Sequence, residues 1–78
     1  MTNIFYFNLF NIGNHEDEIV TNPLGNKTVF HLDLYWKAHN LETGDIRTFD
    51  SASDICHWLN KWEYKPTGEK AQHHDNRR

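Results

Sequence analysis

One stretch of the chain, residues 28–39, alternates apolar and polar side chains almost without interruption. Its even positions are mainly apolar and include Phe30, Leu34 and Trp36. Because successive side chains of a strand point to opposite faces, a period of two predicts a β-strand. We therefore expect residues 28–39 to form the central strand of a small sheet, with the even face on the core and the odd face toward water or a partner.

Two segments before this stretch also favour strands. Residues 3–12 carry apolar side chains on both faces, which predicts a strand buried between two layers or facing a partner. Gly13 indicates a turn, and residues 19–21 predict a short strand. Residues 22–26 contain Pro and Gly, so we expect a loop that leads into the central strand.

The segment after the central strand predicts a hairpin and then a helix. In residues 40–45 Gly44 can supply a positive φ angle, and residues 46–49 return as a further strand. Ser51 can cap a helix, and Asp54 three residues later completes a capping box. An apolar stripe follows at helical spacing, formed by Ile55, Trp58, Leu59 and Trp62.

These elements predict an α+β fold, an antiparallel β-meander of three to four strands with one helix packed on one face. Trp36 and Leu34 should lie under the helix. A chain of 78 residues has room for one such domain with one small core. Residues 1–64 form the predicted domain, and residues 65–78 are predicted to be a disordered polar tail because they contain few apolar side chains.

Charge and cysteine content narrow the classes of function. Residues 1–64 hold nine acidic and four basic residues, whereas a phosphate-binding surface needs clustered Lys and Arg. Nucleic acid is therefore not expected as the main ligand. The single cysteine, Cys56, excludes an internal disulfide and suits a reducing cytoplasm, that of the host cell if a phage encodes the protein. No stretch has the pattern of a signal peptide or a membrane span, so we expect no membrane partner.

No arrangement of residues predicts catalysis or a metal site. His31 and His39 share the odd face but are eight residues apart, which on one strand at ~3.3 Å per residue is too far for a single ion. Cys56 lies beside the apolar stripe, where a buried, inert thiol is expected, and capping accounts for Ser51. We therefore expect a non-enzymatic protein without a cofactor.

Surface chemistry favours a protein partner instead. Three consecutive acids can dock on a basic groove of another protein, or they can form a solvated turn. A second apolar sheet face, formed by the first strand with Tyr35, would mark a protein interface or a homodimer interface, unless a loop or the tail covers it. The contact residues that we predict are Tyr6, Glu16, Asp17, Glu18, His31 and Tyr35.

Short segments of the chain resemble a known family. The residues that carry the resemblance are Met1, Ile4, Tyr6, Phe49, Asp50, Ser51, Ile55, Trp58 and Leu59. In this arrangement the chain resembles small phage-encoded anti-CRISPR proteins of the type I-F class. The resemblance implies a β-meander with helical packing that binds the backbone subunits of the Cas surveillance complex, so that target DNA cannot pair. It also implies that Tyr6 matches an interface tyrosine on the first strand.

A second comparison gives an alternative from another class. Three strands followed by one helix, with a Thr-Gly hairpin and an aromatic residue before the helix cap, are also similar to the arm-type DNA-binding domains of phage integrases. Those domains read DNA with a basic sheet, whereas the exposed strand face expected here offers Lys37 and Arg47 against Asp33, Glu42 and Asp45. We therefore expect a protein-binding inhibitor of phage or mobile-element type, and a small DNA-binding module is the alternative.

Overall fold

The structure, a computed structural model, describes residues 5–71 and shows one five-stranded antiparallel sheet and one α-helix. The strands are β1 (Glu18–Thr21), β2 (Lys27–Leu32), β3 (Trp36–Asn40), β4 (Ile46–Phe49) and β5 (Lys65–Lys70). The helix α1 is Ala52–Lys61, and a short 3₁₀ helix is Ile12–His15. Across the sheet the order is β4-β3-β2-β1-β5. The predicted α+β class is confirmed, with five strands rather than three to four.

Residues 28–39 form a hairpin, whereas their alternation predicts a single strand. The strands β2 and β3 pair antiparallel, and Leu32 lies opposite Trp36 at the end of the ladder. Residues 33–35 therefore form a three-residue loop. Because this loop has an odd number of residues, even positions stay on the same face of the sheet in both strands. The alternation continues unchanged through the turn, so it could not reveal that the chain reverses.

The two faces of the sheet differ in what covers them. The face that carries the even positions of β2 and β3, called here the covered face, packs against Ile55 and Leu59 of α1, both fully buried. The opposite face, called here the open face, carries the odd positions of β2 and β3. Within the described residues, α1 does not pack against this face. The alternation therefore assigned the core to the correct face.

The predicted contacts under the helix are right for Trp36 and wrong for Leu34. Trp36 is buried in the core beside Ile55 and Leu59. Leu34 lies in the three-residue loop and is 87% exposed. Trp62 follows the last turn of α1 and is 44% exposed, so the apolar stripe of the helix is only partly buried.

The predicted strand at residues 3–12 is wrong for residues 5–12, and its first two residues lie outside the described residues. Two asparagines bind the local backbone instead. The Asn8 Oδ1 accepts hydrogen bonds from the N–H groups of Phe10 and Asn11 at 2.9 and 3.0 Å. The Asn11 Oδ1 accepts one from the Asn8 N–H at 2.9 Å. Such side-chain bonds compete with a strand ladder.

This N-terminal segment nevertheless packs into the core. The backbone N–H of Phe7 donates to the Asn60 Oδ1, and the Asn60 Nδ2 donates to the Phe7 carbonyl, both at 2.8 Å. The Phe7 ring is buried and meets the Phe30 ring edge to face, with 5.9 Å between centroids. A side-chain amide on α1 thus supplies the backbone partners that a neighbouring strand would have provided.

The predicted disorder of the tail is wrong for Lys65–Lys70, which form β5, while residues 72–78 lie outside the described residues. β5 pairs with β1 along the edge of the sheet. Polar bonds hold it in place, including one from the Gly68 N–H to the Glu18 Oε2 at 2.7 Å. Low apolar content was a misleading signal here, because a strand can be ordered by the hydrogen bonds of its neighbour.

Predictions from short-range signals are confirmed. Ser51 caps α1, its Oγ accepting from the Asp54 N–H at 3.1 Å. Gly44 adopts a φ of 82° in the hairpin between β3 and β4. The predicted short strand at residues 19–21 and the strand at residues 46–49 are β1 and β4.

Candidate binding surfaces

Glu18, the third acid of the predicted acidic loop, is buried at the junction of β1 and β5. Its Oε1 lies 2.7 Å from the His15 Nδ1, and its Oε2 accepts the Gly68 N–H. Burial acts to raise the pKa of Glu18, but the bonds from His15 and Gly68 and the positive charges of His15 and Lys70 outweigh it, so the pKa lies below its ordinary value. Because both oxygens are engaged within the domain, neither is available to a partner.

The other two acids of the run lie beside the far end of β2. The Glu16 Oε1 accepts a hydrogen bond from the Leu32 N–H at 3.0 Å. The Asp17 N–H donates to the Phe30 carbonyl at 2.8 Å, and Asp17 adopts a φ of 66°. The structure therefore places Glu16 and Asp17 next to the hairpin that joins β2 and β3.

That hairpin ends in an exposed apolar cluster, residues 32–35, called here the hairpin tip. Leu32, Leu34 and Tyr35 are 51%, 87% and 53% exposed. Clustered apolar groups of this kind mark interaction sites, whereas single exposed apolar residues are normal. The structure brings two predicted contact residues, Tyr35 and Glu16, to this end of the sheet, and it adds Leu32 and Leu34, which the predicted single strand had assigned to the core.

Tyr6 lies outside the sheet, in the irregular N-terminal segment. It is exposed, as are Leu9 and Phe10 in the turn that follows. The expectation that Tyr6 and Phe10 belong to a second apolar sheet face is wrong, because this segment is not a strand. The segment instead presents an exposed apolar turn of its own.

His31 and His39 stack on the open face, with 5.1 Å between ring centroids and 24° between ring planes. On the predicted single strand, eight residues would separate them. In the structure the hairpin makes them neighbours on the adjacent strands β2 and β3. Burial, followed by the positive charges of His31 and Lys37, lowers the pKa of His39. Within residues 5–71 no group of three or more His, Cys, Asp or Glu side chains could hold a metal ion.

The open face is also more basic than the sequence suggested. Lys37 lies on it, and so do Lys27 and Lys65, because both pair with Thr21. The paired open-face positions of β1 to β4 include no acidic residue. Arg47 lies opposite Ala38 and therefore on the covered face. The assumption that Lys37 and Arg47 share one exposed face is wrong, and the lysines that join Lys37 were visible only after strand pairing.

A cavity of about 250 Å³ opens where α1 meets the ends of β2 and β3 that lie away from the hairpin tip. Its lining includes Trp58 and Trp62, the polar residues Thr28 and Tyr64, and Asn22 from the loop between β1 and β2. Sequence reasoning missed this cavity. Its polar members are ordinary loop and strand residues, which only the fold gathers.

Cys56 and Ser51, the two candidate nucleophiles weighed from the sequence, both have structural roles in the described chain. Cys56 is buried, and burial raises the pKa of its thiol, which disfavours the reactive thiolate. The Ser51 hydroxyl caps the helix.

No protein-family model, curated protein or solved structure matches this chain. Within residues 5–71, α1 is too short and too polar to cross a membrane.

Proposed function

We propose that the protein is a non-enzymatic protein-binding inhibitor of phage or mobile-element type, which docks its hairpin tip on a basic, nucleic-acid-handling surface of a host protein such as a Cas complex. The observation that supports this proposal is the exposure of Leu32, Leu34 and Tyr35 in one short loop. Side chains of this type act as anchors when a partner supplies a pocket for them.

The hairpin tip is held in place by the structure on both sides of it. It is carried by two strands that pair over residues 28–32 and 36–40. In addition, the Glu16 carboxylate accepts a hydrogen bond from the Leu32 N–H, which ties the tip to the segment before β1. A loop fixed at both ends loses little freedom on binding, so more of the contact energy remains as affinity.

The acidic side chains around the hairpin tip support a basic partner. Glu16 and Asp17 flank it, and Asp33 lies within it, with Lys37 Nζ 3.4 Å from the Asp33 Oδ2. Acids at the rim of an apolar anchor favour a basic partner and increase the rate of association. Proteins that handle nucleic acids carry such basic surfaces.

Affinity capture from a bacterial lysate tests the proposal, with mass spectrometry of the captured proteins. We expect wild type to retain a basic nucleic-acid-handling protein, and Leu34→Ser with Tyr35→Ser to lose it. Leu24→Ser is the matched control, because Leu24 is an exposed leucine in another loop. Equal capture by the hairpin-tip variant would contradict this docking surface.

The inhibitor class has its own test in cells that carry an active type I-F CRISPR system. Expression of wild type should restore plating of a targeted phage, and the hairpin-tip variant should not. Restoration by neither protein, with both proteins present at equal levels, would reject the Cas complex as the partner while leaving capture of another host protein open to the lysate experiment.

The basic open face favours a second candidate, a small nucleic-acid-binding module. Lys27, Lys37 and Lys65 lie on it together with His31 and His39. If this face binds DNA, a gel shift should be steeply salt-dependent and lost when the three lysines are changed to Gln, because each phosphate contact releases counterions. Retained DNA binding in that variant, or none in wild type, would reject this candidate.

A further inference from the structure

The cavity beside α1 is separate from the surface used in the proposed function. Thr28 pairs with Asn40 at the cavity end of the β2–β3 ladder, whereas Leu32 pairs with Trp36 at the hairpin tip. Four residues of extended strand place these ends about 13 Å apart. A ligand in the cavity would therefore leave the hairpin tip free.

One buried group in the cavity lacks a hydrogen-bond partner. Asn22 is 6% exposed, and its Nδ2 has no hydrogen-bond partner among the described residues. The orientation of the amide follows from its other end, because the Asn22 Oδ1 accepts the Asn26 N–H at 3.0 Å. An unpaired buried donor is costly, so such groups call for an explanation. The nitrogen is itself enclosed, so an acceptor atom on a ligand would satisfy it once the Asn22 amide turns toward the cavity.

A second polar pair lies at the same cavity. Thr28 and Tyr64 are both buried, and the Thr28 Oγ1 lies 3.1 Å from the Tyr64 hydroxyl and donates to it. With that acceptor role filled, the Tyr64 hydroxyl retains its own hydrogen for a further acceptor. The cavity thus offers hydroxyl and amide donors in a buried setting.

Of the two indoles in the cavity lining, only that of Trp62 is available to a ligand. The Trp58 ring is stacked on Tyr64 with 5.2 Å between centroids, and the Arg47 guanidinium lies 5.6 Å from the Trp58 centroid. Trp62, in contrast, is 44% exposed. Lys61 Nζ lies over one face of the Trp62 ring, 5.8 Å from its centroid, so the other face can receive one flat apolar face of a ligand. A planar base held between two rings would need both indoles free.

The charged members of the lining balance each other. Asp45 and Arg47 both contribute to it, and its other polar members are amides and hydroxyls. Such a site has no net charge to attract an anion or a cation. A volume of about 250 Å³ lies below the usual range for drug-sized ligands, so the occupant must be small.

We infer that this cavity binds a single neutral sugar ring, which hydrogen-bonds to Asn22, Tyr64 and the polar rim and packs its C–H face on Trp62. A pyranose combines several hydroxyl acceptors and donors with an apolar face, and its C–H groups are attracted to the negative face of an indole. A pyranose therefore matches both the polar lining residues and the exposed indole of Trp62.

The test is a titration of the full chain, followed by tryptophan fluorescence and by NMR shifts of side-chain amide and indole protons. The probes are the methyl glycosides of glucose, galactose, mannose and N-acetylglucosamine, and adenosine serves as the nucleobase probe. We expect at least one glycoside to give saturable shifts at the Trp62 indole and the Asn22 amide. No saturation with any glycoside, shifts elsewhere only, or saturation with adenosine alone overturns the inference.

Variants then assign the site. Trp62→Ala should weaken glycoside binding about tenfold, while Trp62→Phe should preserve most of it. Asn22→Asp retains the oxygen that accepts the Asn26 N–H and removes only the Nδ2 donor, so it should weaken binding as well. The exposed Leu9 supplies the control, Leu9→Ser, which should bind as wild type does.

Thermal unfolding of each variant separates loss of binding from loss of fold. If Asn22→Asp does not fold, the Trp62 pair decides alone, because Trp62 is half exposed and its replacement leaves the core intact. Glycoside binding that is undiminished in Trp62→Ala overturns the inference.

Discussion

The covered and open faces of the sheet are formed by the same alternating segments, but they differ in burial and in charge. On the covered face Phe30, Trp36 and Ala38 pack against α1 and are buried. On the open face His31, Lys37 and His39 occupy the alternate positions and remain partly accessible. Burial on one face supplies the stability of the domain, which leaves the other face free to carry charge. Mutations on the two faces should therefore differ in kind.

The largest expected difference is between two large side chains on opposite faces. Trp36→Ala should lower the free energy of unfolding by about 3–5 kcal/mol, because it opens a cavity in the core. Ile46→Ala on the open face, where Ile46 is exposed, should change it by less than about 1 kcal/mol. Urea denaturation measures both values, and equal losses would show that the two faces do not differ in this way.

The next effect concerns the edge of the sheet. Deletion of residues 69–78 should lower the free energy of unfolding by about 2–3 kcal/mol, because it removes the end of β5 and the bonds from Lys70 Nζ to the Glu16 carbonyl and from the Ala71 N–H to the Asp17 carbonyl. Deletion of residues 72–78 alone retains these bonds and is the control. Equal melting temperatures for the two truncated chains would show that the end of β5 adds nothing to the stability of the sheet.

A smaller effect should come from Glu18, which ties β1 to β5. Its folded pKa lies below the ordinary value of 4.5, so its charged form is favoured by folding. The stability from this charge is present above pH 4.5 and is lost as the pH falls through the folded pKa. Glu18→Gln should therefore cost about 1 kcal/mol at neutral pH and nothing in strong acid. A pH series of urea midpoints tests this, and a constant difference would contradict it.

The smallest effect should come from His39 on the open face. Its folded pKa lies below the ordinary value of 6.5, so the unfolded chain binds more protons between the two values. Stability is complete above pH 6.5 and should decline slightly as the pH falls toward the folded pKa. Lys37→Gln removes one of the positive charges responsible and should reduce the decline. Thermal melts between neutral and mildly acidic pH would reject the idea if His39→Gln keeps the full slope.

Sequence reasoning succeeded where the signal was local. The Ser51 cap, the positive φ of Gly44 and the face assignment of Phe30 and Trp36 each depend on a few neighbouring residues. It failed where distant partners decided. Asn60 holds the backbone of Phe7 from a distance of 53 positions along the chain, and no pattern in residues 5–12 indicates it.

The binding surfaces were less predictable than the fold. Tyr35 and Glu16 were expected as contact residues, and the structure places both at the hairpin end of the sheet, yet Leu34 had been assigned to the core. Glu18 was expected at the surface and is buried instead, where its carboxylate accepts the Gly68 N–H of β5. Nothing local to these residues distinguishes the partly exposed Glu16 from the buried Glu18.

The sequence by itself determined which side chains share a face, where the helix begins and that the fold is α+β, because side-chain periodicity and capping act over one or two turns of chain. Only the tertiary structure decided where the alternating stretch reverses, that a polar tail becomes β5, and that His31 meets His39. The tertiary structure alone also forms the cavity that Asn22 lines. Each of these outcomes depends on hydrogen bonds and contacts between residues far apart in the chain, and such pairings leave no mark on either segment alone.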